Sequence, residues 1–126
     1  MMPKHILIVD DSATSRMVIR KCLSMGGYEG VVYFEAANGV EALDLLKDNE
    51  IDLILTDLVM PEMDGEELVI NTRQSDKFRT IPIIVISSIA NPAYESKLIS
   101  LGASAVLNKP LSPMALDKTV KNVYNN

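Results

Sequence analysis

Three aspartates, one serine and one lysine are of the types that handle a phosphoryl group, and each lies at the end of a short apolar run. Asp10-Asp11 follow His5-Ile6-Leu7-Ile8-Val9, Asp57 follows Leu53-Ile54-Leu55-Thr56, Ser87 follows Ile83-Ile84-Val85-Ile86, and Lys109 follows Ala105-Val106-Leu107-Asn108. Grouped carboxylates repel unless a cation neutralises them, and hard oxygen donors suit magnesium, which takes one or two protein carboxylates and keeps several waters. A lysine beside them pairs with a carboxylate or contacts phosphoryl oxygens, and a serine hydroxyl donates to the same oxygens. Together these are a nucleophile, metal ligands, a cation and a donor, the parts needed to move a phosphoryl group onto a carboxylate.

Simpler roles exist for each residue alone. An Asp-Asp pair after a strand caps a helix, a Lys-Pro step is a turn, and a serine pair is a loop. Independent roles of that kind do not require every one of these residues to fall at the carboxyl end of a different strand. If the runs are parallel strands of one sheet, those ends share a crevice, where open α/β sheets bind ligands.

Strand-like and helix-like segments alternate along the chain, which predicts an α/β fold with a doubly wound, mostly parallel sheet covered on both faces. The first strand, about Ile6 to Val9, is continuously apolar, as a strand buried on both faces should be. A helix follows between Ala13 and Met25, carried by Val18, Ile19, Cys22, Leu23 and Met25, capped by Asp11 or Ser12 and stopped by Gly26-Gly27. A strand is expected around Val31 to Glu35, and Asn38 with Glu41 forms a capping box before Leu43, Leu45 and Leu46. The third strand, Leu53 to Thr56, leads into Asp57. The stretch from Asp57 to Gly65 reads as a loop, followed by a helix to about Ser75. Pro82 introduces the run from Ile83 to Ile86, and Tyr94, Leu98 and Leu101 mark a helix stopped by Gly102. After the last strand and Lys109-Pro110 comes a final helix with Leu116, Val120 and Val123 on one face.

Composition limits the function classes. A chain of 126 residues, 48% hydrophobic, is expected to form one domain spanning 1–126. A net charge of −5, with no basic run longer than Arg20-Lys21, disfavours nucleic acid and anionic membranes as partners. The single cysteine, Cys22, excludes an internal disulfide and fits a small core residue, as a reducing cytoplasm permits. No stretch approaches the roughly 20 apolar residues of a membrane span. His5, the single histidine, opens a strand and reads as a strand-edge residue. The seven methionines read mostly as core gap-fillers, with Met60 and Met63 covering the base of Asp57. Tyr94 and Tyr124 fit helix packing or a partner surface equally well.

Four stretches in this order and spacing make the chain resemble the receiver domains of two-component response regulators, of the stand-alone chemotaxis-regulator type, over essentially its whole length. They are Ile8-Val9-Asp10-Asp11-Ser12, the run from Thr56 through Asp57 to Met63-Asp64-Gly65, Val85-Ile86-Ser87-Ser88, and Gly102-Ala103-Ser104-Ala105 leading to Asn108-Lys109-Pro110. The resemblance implies a flavodoxin-like, five-stranded parallel sheet of order 2-1-3-4-5 with five flanking helices, and, with nothing left after about Tyr124 to form one, no output domain is expected. It implies that Asp57 accepts a phosphoryl group from a sensor histidine kinase or a phosphohistidine phosphotransfer protein. Mg²⁺ would be held by Asp11, Asp57 and the backbone carbonyl of Val59, with Asp10 acting mainly through water. Lys109 would hold a phosphoryl oxygen, Ser87 would swing in to bind another, and Pro110 would follow Lys109 through a cis peptide. The expected output is phosphorylation-dependent binding of a downstream protein by a cytoplasmic monomer, in chemotaxis or as a phosphorelay intermediate.

Two departures from the pattern stand out. Val106 occupies the position where such domains carry an inward-turning Tyr or Phe, so the aromatic part of the switch is missing or replaced. Val59 and Ile89, two residues past Asp57 and Ser87, are apolar where polar side chains help to orient an attacking water, so the acyl phosphate is expected to be long-lived. Among competing classes, an aspartate-nucleophile phosphatase needs an acid/base aspartate at position 59, where this chain has valine. A flavodoxin-like electron carrier needs a Ser/Thr/Gly-rich phosphate loop after the first strand, and none is present. A receiver-like adaptor that is never phosphorylated would not need all of these residues.

Overall fold

The computed structural model describes residues 2–28, 30–89 and 91–124. Five strands, β1 (His5–Val9), β2 (Val32–Ala36), β3 (Leu53–Asp57), β4 (Ile83–Ser87) and β5 (Ala105–Asn108), alternate with five helices. These are α1 (Ala13–Met25), α2 (Gly39–Asp48), α3 (Gly65–Gln74), α4 (Pro92–Leu101) and α5 (Pro113–Tyr124). The strands form one sheet of order β2-β1-β3-β4-β5, parallel throughout, as the resemblance implies.

Successive strand side chains point to opposite faces, and this divides the core in two. Leu7, Val9, Ile54, Ile83 and Val85 pack with Ala42, Leu46, Leu68, Val69 and Leu98 of α2, α3 and α4. Ile6, Ile8, Leu53, Leu55, Ile84 and Ile86 pack with Ile19, Cys22 and Leu23 of α1 and Leu116 and Val120 of α5. Apart from Thr56 of β3, the interior positions of the three central strands are apolar because both faces are covered.

Local signals set the helix boundaries. Ser12, rather than Asp11, caps α1, its hydroxyl accepting from the Ser15 amide at 3.2 Å. Asn38 accepts from the Glu41 amide, while the Glu41 carboxylate reaches back to the Ala37 amide, one residue before the cap. Asp64 caps α3 and Asn91 caps α4. β2 runs from Val32 to Ala36, one residue later than expected. The methionine expectation fails: Met17, Met25 and Met114 are well exposed on α1 and α5, and of the methionines described only Met60 is buried. They lie on helix faces turned away from the sheet, where packing makes no demand for their shape.

Candidate functional site

Parallel pairing aligns the carboxyl ends of four strands. Val9 lies opposite Thr56, Asp57 opposite Ile86, and Ser87 opposite Asn108, so the residues closing β1, β3, β4 and β5 fall on one edge. Asp10 extends β1 by one step, its amide donating to the Ala36 carbonyl at 3.0 Å. Its Oδ1 accepts from the Ser12 amide at 2.9 Å, which turns the chain into α1. Arg16, on the first turn of α1, donates to the Asp10 carbonyl at 2.5 Å and to Glu35 Oε1 at 2.8 Å.

Asp57 is fixed from its backbone outward. Its Oδ1 accepts from the Leu58 amide at 2.9 Å, and the Thr56 hydroxyl donates to its carbonyl at 2.8 Å. Gly65 begins α3 against this segment, its amide donating to the Leu58 carbonyl at 2.8 Å. A Cβ at position 65 would run into the Asp57 carbonyl oxygen and the Leu58 Cα, so this close approach requires glycine. On the far side, the Lys109 amide donates to the Ser87 carbonyl at 2.8 Å, and the Lys109–Pro110 bond is cis.

These supports bring four of the charged residues together. Lys109 Nζ stands 3.3 Å from Asp57 Oδ1 and 3.7 Å from Asp10 Oδ2. Asp10, Asp11 and Asp57 each offer a carboxylate oxygen within 4.8 Å of the others. Asp10 is 1% exposed, and burial pushes its carboxyl above the ordinary carboxylate range. The Ser12 amide pulls it back, the charge of Asp57 pushes it further, Lys109 opposes and Asp11 adds. Its Oδ2 is buried without a hydrogen-bond partner. An unpartnered buried oxygen among three carboxylates is the environment that a hard divalent cation stabilises, so the residues present fit magnesium.

The other expected residues lie nearby in different states. Ser87 is buried at the end of β4, its Oγ accepting from the Ile89 amide at 2.9 Å, within its own loop. Val59 and Ile89 are exposed. Val106 pairs with Val85 and is half-buried at the margin of the α2–α4 side of the core. Arg16 and Thr56 were not expected at the site. A cation in the first turn of a helix, where the dipole disfavours it, was the available sign that Arg16 answers to another partner. Among the described residues no helix is long and apolar enough to cross a membrane.

Comparison with known proteins identifies the family and the fold. The family model of the response regulator receiver domain matches residues 6–121. The polar-differentiation response regulator DivK of Brucella anthropi is 33% identical over 121 residues, covering 96% of each chain. The chemotaxis protein CheY1 of Helicobacter pylori is 38% identical over 119 residues, covering 94% of each. The crystal structure of the chemotaxis protein CheY4 of Vibrio cholerae superposes with a TM-score of 0.85 at 31% identity, covering 98% of this chain and 99% of that one.

Proposed function

The chain belongs to the response regulator receiver domain family, and from that premise we propose that it is a phosphorylation switch whose acceptor is Asp57. The observation that carries this reading is the placement of Lys109 Nζ between the carboxylates of Asp57 and Asp10 at the edge where four strand ends meet.

The Asp57 carboxylate attacks the phosphorus of a phosphohistidine in a sensor kinase or phosphotransfer protein. An Oδ–P bond forms, the P–N bond breaks, and its electron pair leaves with the imidazole. The Leu58 amide holds Asp57 Oδ1 in place, which orients the nucleophile. Lys109, already 3.3 Å from that oxygen, turns to a phosphoryl oxygen once the carboxylate charge has moved outward. Ser87 Oγ accepts from the Ile89 amide and keeps its own proton free to donate. Rotation about its Cα–Cβ bond carries that proton to a second phosphoryl oxygen. Asp11, Asp57 and the Val59 carbonyl would hold Mg²⁺, with Asp10 acting mainly through water. Bound there, the ion supplies charge neutralisation at the transferred group.

The chain is proposed to act in the cytoplasm as a monomer, signalling by phosphorylation-dependent binding to a protein target. Incubation with acetyl phosphate and Mg²⁺, read by intact mass, tests the reading: the wild type takes up one phosphoryl group and Asp57→Asn none. A persistent adduct in Asp57→Asn overturns it. A phosphorelay role differs in one observable, namely transfer of the label from Asp57 back to a phosphotransfer histidine.

A further inference from the structure

Of the helices beside the site, α4 is the most thinly anchored. It buries Leu98 alone, whereas α1 buries three residues and α3 four. Just past its end, the Gly102 carbonyl accepts from Arg73 Nε at 2.9 Å. Its first turns are held to α3 by a single cluster. The Tyr94 hydroxyl donates to Glu66 Oε2 at 2.8 Å, Lys97 Nζ lies 3.2 Å from Glu66 Oε1, and the same Nζ sits 5.6 Å from the centre of the Tyr94 ring. Among the described residues these are the only side-chain hydrogen bonds and ion pairs that join α3 to α4.

The position of this cluster matters more than its strength. Glu66 directly follows Gly65, the residue packed against the Asp57 backbone. Tyr94 belongs to the helix that starts five residues beyond Ser87. The Tyr94–Glu66 bond therefore ties the segment that carries the serine to the segment that carries the nucleophile. Tyr94 and Val106 both pack at the margin of the same apolar cluster.

We propose that Tyr94, held by Glu66, is the positioning residue that keeps α4 and the Ser87 loop in the unphosphorylated arrangement, and that capture of the phosphoryl group by Ser87 breaks the Tyr94–Glu66 bond. This rests on Asp57 being the acceptor. Reaching a phosphoryl oxygen draws Ser87 Oγ away from the Ile89 amide and frees the loop that leads into α4. A thinly packed helix follows its loop only if its tie to α3 yields. Coupling of this kind is reciprocal: whatever weakens the tie raises the population that reacts with donor.

The test is the initial rate at which acetyl phosphate with Mg²⁺ labels the full chain. Tyr94→Phe removes only the hydroxyl, and the rate is expected to rise about five-fold, the equilibrium worth of one hydrogen bond. Glu66→Ala should give a similar rise. The double variant should match Glu66→Ala, which also removes the Lys97 ion pair, because the Tyr94 hydroxyl then has no bond left to lose. Tyr124→Phe removes a comparable phenol bond, to the Asp52 carbonyl at the opposite edge of the sheet, and leaves the rate unchanged. Amide exchange across residues 91–97 should quicken on phosphorylation of the wild type and be fast already in Tyr94→Phe, with β1 and β3 still protected. Labelling of Tyr94→Phe at or below the wild-type rate overturns the proposal, as do multiplying effects in the double variant. Absence of label on wild-type Asp57 overturns the acceptor reading and the latch with it.

Discussion

Replacing Asp10 by asparagine separates what the acidic pocket costs the fold from what it does for the chemistry. Asp57, whose carboxylate lies within 4.8 Å of Asp10 and is half-buried, repels it by about 3.5 kcal/mol at an effective dielectric near 20. The exposed Asp11 adds about 1 kcal/mol at the dielectric of water, and Lys109 at 3.7 Å returns about 4.5 kcal/mol. These charges nearly cancel, so burial decides. The unpartnered Oδ2 carries a desolvation cost of about 1–3 kcal/mol. Asparagine keeps the acceptor for the Ser12 amide and presents an amide donor to its acidic neighbours in place of a charge. Asp10→Asn should therefore be more stable by about 1–2 kcal/mol, a rise of about 4–8 °C in Tm, in buffer containing EDTA. Added Mg²⁺ should raise the Tm of the wild type by mass action and narrow the gap, because the variant has lost a carboxylate of the metal site. Scanning calorimetry of both proteins with and without Mg²⁺ measures this directly. Melting of Asp10→Asn below the wild type in EDTA would refute the picture of an under-neutralised buried carboxylate.

Three further outcomes follow from the same structure. Arg73→Ala strands the carbonyls of Gly102, Arg79 and Ile81, which the guanidinium gathers at 2.6–3.0 Å, and should lower the urea midpoint by the equivalent of about 2–4 kcal/mol. Burial raises the Asp52 carboxyl, but the amides of Lys4 and His5 and the His5 ring, all within 3.2 Å, outweigh it and hold it below its ordinary value. A folded pKa below the unfolded one gives stability that is complete above the unfolded value and lost as pH falls through the folded one. Asp52→Asn should thus destabilise the protein at pH 7, and its deficit in urea unfolding should shrink below about pH 4. Val59→Asn should shorten the lifetime of the acyl phosphate, followed as loss of label after donor is removed, since Val59 and Ile89 leave only apolar side chains at these two exposed positions.

The fold was legible because its information is periodic and local. Continuous apolar runs at Ile6–Val9 and Ile83–Ile86 mark strands covered on both faces, and residues such as Asn38, Gly26 and Gly102 mark helix ends. The gathering of Asp10, Asp57 and Lys109 was legible for the same reason: a strand end fixes where the next residue points. What the sequence hid depends on long side chains reaching between elements. Arg73 spans from α3 to the turn after α4, and Tyr94 spans from α4 to Glu66, through contacts that leave no spacing signal. The exposed Met17, Met25 and Met114 were misjudged because a flexible apolar side chain costs little on a helix surface.

The central claim is that Asp57 carries the phosphoryl group. Borohydride reduces an acyl phosphate to the alcohol, so treating the labelled protein and mapping its peptides converts the acceptor aspartate to homoserine. Homoserine at position 57, dependent on both phosphodonor and Mg²⁺, is the predicted result. Homoserine at Asp10, Asp11 or elsewhere, with Asp57 intact, would contradict it.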